Sequence, residues 1–216
     1  VIPKADPRAK HVRKILKAGE GKTLRIGLVD AGIEEDAAVE WDEDGDLCLS
    51  VPSSNTAFLT PFPDEARPPV DVLIALPRPA SLAPFLNTAA QLGVHRVILC
   101  NAAKVQADYF GSHLLKEPRT EMREALKTGL SQVGDTAVPL VHVARRLKVL
   151  LNDELDDLCP NTVRVYAHPQ KPWARALPHI SELDYTGGKR LLLAVGPEAG
   201  WQDPFELELL HSHGFQ

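Results

Sequence analysis

Cysteine is scarce in this sequence: Cys48, Cys100 and Cys159 are odd in number and widely spaced along 216 residues. Such a set fits neither a disulfide framework nor a zinc site. It suggests a reducing compartment, the cytoplasm, with an organelle left open. No apolar run approaches the roughly 18 residues that cross a bilayer, and no secretory signal is visible, so no membrane partner is expected. The Gly-x-Ser-x-Gly turn of serine hydrolases is missing too. Gly19-Glu20-Gly21-Lys22-Thr23 looks like a phosphate-binding loop, but Leu16 stands where the first glycine is required. It also leads from a helix into a strand, the reverse of that motif. His211 and His213 lie two apart on an expected helix, where they diverge, and no third ligand is evident, so no metal is expected.

What is present is ordinary in bulk, with 44% hydrophobic and 25% charged residues, the composition of a globular protein. A chain of 216 residues is long enough for one large domain or two small ones. It opens on Val1 rather than methionine, which leads us to expect a short preceding piece. The net charge of −5 argues by itself against a nucleic-acid binder, but the distribution argues otherwise. Residues 1–30 hold eight basic and three acidic side chains, a balance of +5, whereas residues 31–70 hold one basic and ten acidic, a balance of −9. A polyanion responds to the local field, so a basic stripe on one face suffices. A solvated helix face is the alternative reading of the same charges.

Residues 1 to about 66 read as a small β-rich module. Arg8–Leu16 suits a short helix, and Thr23–Val29, Ala37–Trp41 and Leu47–Val51 suit strands, with Asp44-Gly45 as a hairpin turn. The proline-rich stretch from Pro61 to Pro69 reads as a linker. From Val70 onward apolar strands alternate with helices. The strands are Val70–Leu76, Arg96–Cys100, Leu140–Val143, Val163–Ala167 and Leu191–Val195, and the helices Ser81–Leu92 and Glu121–Val133. That alternation implies an α/β domain of the doubly wound class, with a mostly parallel sheet covered on both faces.

The most informative stretch is Leu191–Gly200 with Asp203-Pro204-Phe205-Glu206 after it. A buried strand runs into a turn of two glycines, a proline and a carboxylate. Asp203 reads as the N-cap of the next helix, Pro204 as its first residue, Glu206 as the partner that closes a capping box, and Gly214 as the residue that ends it. Strand, sharp turn and helix together bring backbone groups to the C-terminal edge of a sheet, where α/β proteins bind small ligands.

Gly196-Pro197-Glu198-Ala199-Gly200 and Glu206 also resemble the Gly-Pro-Glu-Gly-Gly signature of the SPOUT-type small-subunit ribosomal RNA (uridine-N3) methyltransferases. Asp6–Val12 through Leu16, with Gly21–Gly27, is similar to that family's N-terminal stretch. Ala75-Leu76-Pro77-Arg78-Pro79, Gln91-Leu92-Gly93-Val94, and Gly129-Leu130-Ser131-Gln132 with Asp135-Thr136 and Pro139 resemble further family motifs in the same order. There are departures. Ala199 replaces a glycine, and alanine resists positive φ, so an altered backbone is expected there. Ser131 replaces a glutamate.

The resemblance implies a PUA-like β-barrel that binds RNA over residues 1–66 and a trefoil-knotted SPOUT methyltransferase domain over 67–216. It implies a homodimer that uses S-adenosylmethionine to methylate N3 of a uridine in small-subunit rRNA, with the small ribosomal subunit as partner. The family's last motif, L-G-x-R-I-L-R-x-E-T-A, would follow Gln216, so the knot-closing segment and its catalytic residues are expected outside these residues. Ala167, His168, Pro169, Val195, Gly196, Pro197, Glu198, Ala199 and Gly200 are the implied cofactor residues. Arg8, Lys10, His11, Arg13, Lys14 and Lys17 would face RNA, giving mostly sequence-independent affinity. Glu198 either orders the turn or faces the substrate, and His168 is either a base or a plain loop residue. Arg78 either meets RNA phosphate or stabilises a domain contact. A non-catalytic RNA-binding or ribosome-assembly protein, and a SPOUT enzyme with another RNA target, remain as alternatives.

Overall fold

A computed structural model describes residues 1–63, 67–116, 118–169 and 180–216. The chain divides into one unit of Val1–Pro63 with Gly134–Ala137, and a second of Asp64–Val133 with Val138–Gln216. Residues 64–66 of the expected linker lie outside the described residues.

In the first unit Asp6 caps helix α1 (Pro7–His11): its carboxylate accepts the Arg8 backbone N–H at 2.8 Å, and Pro7 fills the first helical turn. The helix continues through a π-helical turn, Val12–Leu16, and ends where Lys17 turns to φ +49°. Strands β1 (Thr23–Gly27), β2 (Ile33–Trp41) and β3 (Leu47–Ser50) form an antiparallel sheet in that order. Strand β2 begins earlier than the alternation of apolar residues indicates, because Glu34 is buried near its start. The Asn55 side chain satisfies that carboxylate at 2.7 Å, and the bond holds its pKa below the ordinary value. Gly45, at φ +83°, makes the β2–β3 turn. A small core of Ala9, Val12, Ala18, Val39 and Leu47 lies between helix and sheet. Gly134–Ala137 joins this unit through Thr136, which accepts the Asp30 N–H at 2.8 Å and donates its hydroxyl proton to the Ala31 carbonyl.

The second unit runs β4 (Val70–Ala75), α2 (Pro79–Gln91), β5 (Arg96–Cys100), α3 (His113–Lys116), α4 (Arg123–Val133), β6 (Leu140–Ala144), α5 (Leu147–Val149), α6 (Leu155–Leu158), β7 (Thr162–Ala167), β8 (Arg190–Val195) and α7 (Phe205–Ser212). Its strands form one parallel sheet in the order β6-β5-β4-β8-β7. Alternate residues of each strand serve opposite faces. Leu73, Ile98, Leu192 and Ala194 pack with Leu150, Leu155, Trp201 and Leu210 on one face. Val97 and Leu99 pack with Leu82, Leu86, Leu126 and Leu130 on the other.

The helical stretch 147–158, continuous through a π-helical turn at Leu150–Glu154, is absent from the sequence-based expectations. Its buried Leu147, Leu150, Leu151 and Leu155 do carry helical spacing. Helices α2 and α4 approach at Gly129, where a Cβ would stand 2.2 Å from the Asn87 carbonyl oxygen. Gln132 accepts from the Gln91 side chain at 2.6 Å across the same pair of helices.

At the N-terminal edge of the sheet Asp71 is completely buried. Arg190 donates to its two oxygens at 3.2 and 3.3 Å, His95 Nδ1 lies at 3.2 Å and Arg96 at 3.9 Å. Three side chains making four contacts around one carboxylate satisfy a charge that would otherwise be costly to bury. Among the described residues no helix is long and apolar enough to cross a membrane.

Candidate active site

Strand β4 is followed in sequence by its neighbour β5, while its other neighbour, β8, comes from the far end of the unit. Chain connections therefore leave the two sides of the β4–β8 pair in opposite directions, and a crevice opens beyond their carboxyl ends. The crevice is a cleft of about 360 Å³. It lies between Leu76–Arg78 after β4, Lys104–Gln106 and Tyr109 after β5, and Gly196–Ala199 after β8. Ile74, Ala75, Leu76 and Val105 give it an apolar floor, while Arg78, Lys104 and Glu198 supply its charges.

The turn after β8 is built for close approach. The Gly200 N–H donates to the Pro197 carbonyl at 2.7 Å, and Gly200 sits at φ +72°, which suits glycine. A Cβ on Gly200 would stand 3.2 Å from the His168 ring, and one on Gly196 would stand 3.1 Å from Trp201. Trp201 is wholly buried against the sheet and anchors the turn. Ala199 is not among the residues at positive φ, so its methyl group fits an ordinary backbone and the expected distortion does not occur.

The start of α7 corrects the expected cap. The N-cap position belongs to Pro204, not Asp203, and it makes no side-chain capping bond. Glu206 supplies the acceptors instead. Its buried carboxylate takes the Gln202 N–H at 2.6 Å and the Ala103 N–H at 2.7 Å, so it ties the turn after β8 to the loop after β5. Lys104 strengthens the tie, with Nζ donating to the Ala199 carbonyl at 2.8 Å. Gly214, at φ +77°, follows α7 as expected.

The remaining expected residues fall into three places. Ala167 ends β7, exposed; His168 is half-buried beside Gly200, and Pro169 is exposed. Among the described residues, His168 Nδ1 and Trp201 Nε1 are buried with no hydrogen-bond partner, two polar nitrogens flanking the turn. Next to them the Tyr166 hydroxyl contacts His211 Nε2 at 2.8 Å, and burial followed by the Asp203 charge pushes its phenol pKa up. Val195 ends β8, and Gly196–Ala199 line the cleft. Glu198 forms an ion pair with Arg78 at 2.6 Å, so both stand on the cleft rim.

Arg8, Lys10, His11, Arg13, Lys14 and Lys17 are exposed on the first unit. Arg8 pairs with Asp6 at 2.8 Å, while Arg13 lies 3.9 Å from the Trp41 ring centre and donates to the Gly45 carbonyl. Lys104, Tyr109 and the role of Glu206 escaped the sequence reading. The one available signal for Lys104 was its position just after the carboxyl end of a buried strand.

A sheet of this order, with its glycine-rich turn at the crevice, defines an α/β protein with a crevice beyond the strand ends of the kind where such folds take small ligands. Residues 64–216 match the RNA methyltransferase domain family, and the chain belongs to that family. It is 24% identical over 218 residues to ribosomal RNA small subunit methyltransferase E of Treponema pallidum, covering 100% of this chain and 76% of that one. The fold is similar to that of a probable rRNA-methyltransferase from Porphyromonas gingivalis, with a TM-score of 0.72 and 19% identity over 97% of this chain and 80% of that one. It is also similar to ribosomal RNA small subunit methyltransferase E from Neisseria gonorrhoeae, solved with S-adenosyl methionine bound. There the TM-score is 0.64, with 14% identity over 100% of this chain and 80% of that one.

Proposed function

We propose that the protein transfers a methyl group from S-adenosylmethionine to N3 of a uridine in small-subunit rRNA, in the cytoplasm and as a homodimer. The observation that carries this reading is the Gly196–Gly200 turn at the sheet's crevice, with buried His168 and Trp201 nitrogens beside it that find no partner among the described residues. Ala167, His168, Pro169 and Val195–Gly200 would hold the cofactor. Gly196 and Gly200 let Trp201 and His168 pack against the turn's backbone, and His168 Nδ1 offers a hydrogen-bonding group to the cofactor's adenosine part. When bound, S-adenosylmethionine supplies a methyl group already made electrophilic by its sulfonium.

The residues of this chain then have mainly to hold geometry. Trp201, Glu206 and Lys104 fix the turn, so little ordering remains to be done when donor and acceptor are aligned. The N3 proton of uracil must leave, and a cationic group beside the developing anion favours that. The resemblance assigns that group to the closing motif beyond Gln216, in a C-terminal domain over 67–216 whose knot the motif would complete. Residues 1–66 would form the PUA-like barrel, its exposed Arg8, Lys10, His11, Arg13, Lys14 and Lys17 meeting the RNA backbone. Arg78 would meet RNA at the cleft.

The test uses the full natural protein, S-adenosylmethionine and unmodified small ribosomal subunits, followed by nucleoside mass spectrometry of the digested rRNA. New N3-methyluridine is the expected product. A methylated ribose would overturn the N3 assignment, and unmodified RNA beside a working control enzyme would point to a binding protein.

A further inference from the structure

One contact on the cleft rim joins two loops through side chains alone. Arg78 Nη2 and Glu198 Oε2 lie 2.6 Å apart and join the loop after β4 to the turn after β8. The side chains are 62% and 77% exposed. An ion pair so open to water holds weakly and is screened by salt. Lys104 lines the same cleft, where Nζ donates to the Ala199 carbonyl at 2.8 Å and more weakly to that of Trp201 at 3.5 Å, so one of its three donors is left for an anion. Beneath these charges lie Ile74, Val105 and the half-buried Tyr109. Two cations and one carboxylate above an apolar bed suit a phosphorylated aromatic molecule. The base would rest on the floor, and a phosphate would take paired hydrogen bonds from the guanidinium where the carboxylate now sits.

We infer that the Arg78–Glu198 pair is an exchangeable latch. A phosphate of an RNA nucleotide entering the cleft displaces the Glu198 carboxylate from Arg78, and Lys104 provides the second positive charge. In the free protein Glu198 keeps Arg78 extended across the rim and competes with stray anions, so only a ligand that also fills the apolar floor gains from opening the pair. This inference rests on the reading that the protein acts on RNA. The phosphate chemistry is shared by free nucleotides, which the test separates.

Binding of uridine, uridine 5′-monophosphate and a ten-residue uridine oligonucleotide is measured at low salt by calorimetry and fluorescence anisotropy. Glu198→Gln is expected to bind the monophosphate and the oligonucleotide about two- to fivefold more tightly, the gain from removing an exposed competitor. Uridine should be unaffected. Arg78→Gln should weaken both phosphorylated probes about tenfold. In the Arg78→Gln background the Glu198→Gln gain should vanish.

An unchanged or weaker affinity in Glu198→Gln overturns the latch. So does a gain that persists without Arg78, because that would be a general effect of net charge. A gain for the monophosphate alone overturns RNA as the source of the phosphate. Loss of methylation with the coupling intact refutes the enzymatic reading and leaves the latch standing, whereas methylation without coupling refutes the latch alone.

Discussion

Replacing Glu206 with alanine removes both ends of the clasp between the loops after β5 and β8. Its carboxylate is buried, with residue exposure of 8%, and it accepts the Ala103 N–H at 2.7 Å and the Gln202 N–H at 2.6 Å. A hydrogen bond to a charged group contributes about 1.5–3 kcal/mol. Ala103 is exposed, so water can take over its N–H and that half falls to the bottom of the range, whereas Gln202 is half-buried. The two together come to about 3 kcal/mol. Loss of a negative charge from the first turn of α7 adds a few tenths. For a unit of this size the melting temperature should fall by roughly 6–12 °C. Scanning calorimetry of the full chain reads that shift. Glu206→Gln keeps one acceptor but turns an amide toward the other N–H, so about half the loss should remain. Melting of Glu206→Ala within about 1 °C of the parent would refute the clasp, since loss of even one such bond predicts more.

Gly129→Ala sets helix propensity against packing. Alanine is the better helix former by about 1 kcal/mol, but its Cβ would meet the Asn87 carbonyl oxygen at 2.2 Å and the Ala90 Cβ at 3.0 Å. A net loss of about 2 kcal/mol is expected, read as a lower urea midpoint; a rise would show that the α2–α4 spacing adjusts freely. Asp71→Asn strips the negative charge from Arg190 and Arg96, whose side chains are 22% and 17% exposed. Their partial access to water puts the loss near about 3 kcal/mol, the low end for a broken buried pair, and thermal unfolding would check it. Burial, followed by the Asp71 charge, pushes the Cys159 thiol up to about 12, and burial with the Glu206 charge pushes Cys100 up as well. A disulfide reagent at pH 8 should therefore find one fast thiol per folded chain, the half-exposed Cys48. Three fast thiols would contradict the packing.

The parallel sheet was legible because its strands are short and mainly apolar, as at Arg96–Cys100, where expected and observed limits coincide. The glycine-rich turn was legible because Gly196 and Gly200 answer to local demands, a passing indole and a positive φ. What the sequence hid is non-local. Asp203 has the chemistry of a cap, but the Glu206 N–H that a cap there would accept donates to the Gln202 carbonyl instead. Nothing near Ala199 in sequence reveals the sign of its φ, which is set by how the turn closes on Trp201. Lys104 belongs to the cleft only because β5 lies next to β4 and β4 next to β8. That order is a property of the assembled sheet, and no periodicity encodes it. The 147–158 helix keeps helical spacing at Leu147, Leu150, Leu151 and Leu155, but no capping side chain at Arg146 and no glycine at Cys159 marks its ends.

Strand order also governs how this chain is made. β4 is the first strand of its unit to leave the ribosome, and β5 joins it soon afterwards, with Val72 opposite Val97. On its other side Val70 must wait for Leu191, so the centre of the sheet is the last part to be filled. The entropy of closing so long a loop grows only slowly with its length, but such distant pairings delay folding. Through most of translation β4 therefore offers a bare row of backbone donors and acceptors flanked by valine, leucine and isoleucine, a template for pairing with another chain. A nascent chain stalled before Arg190 would carry an open sheet. Its dependence on chaperones should reflect that vacancy more than the stability of the finished protein.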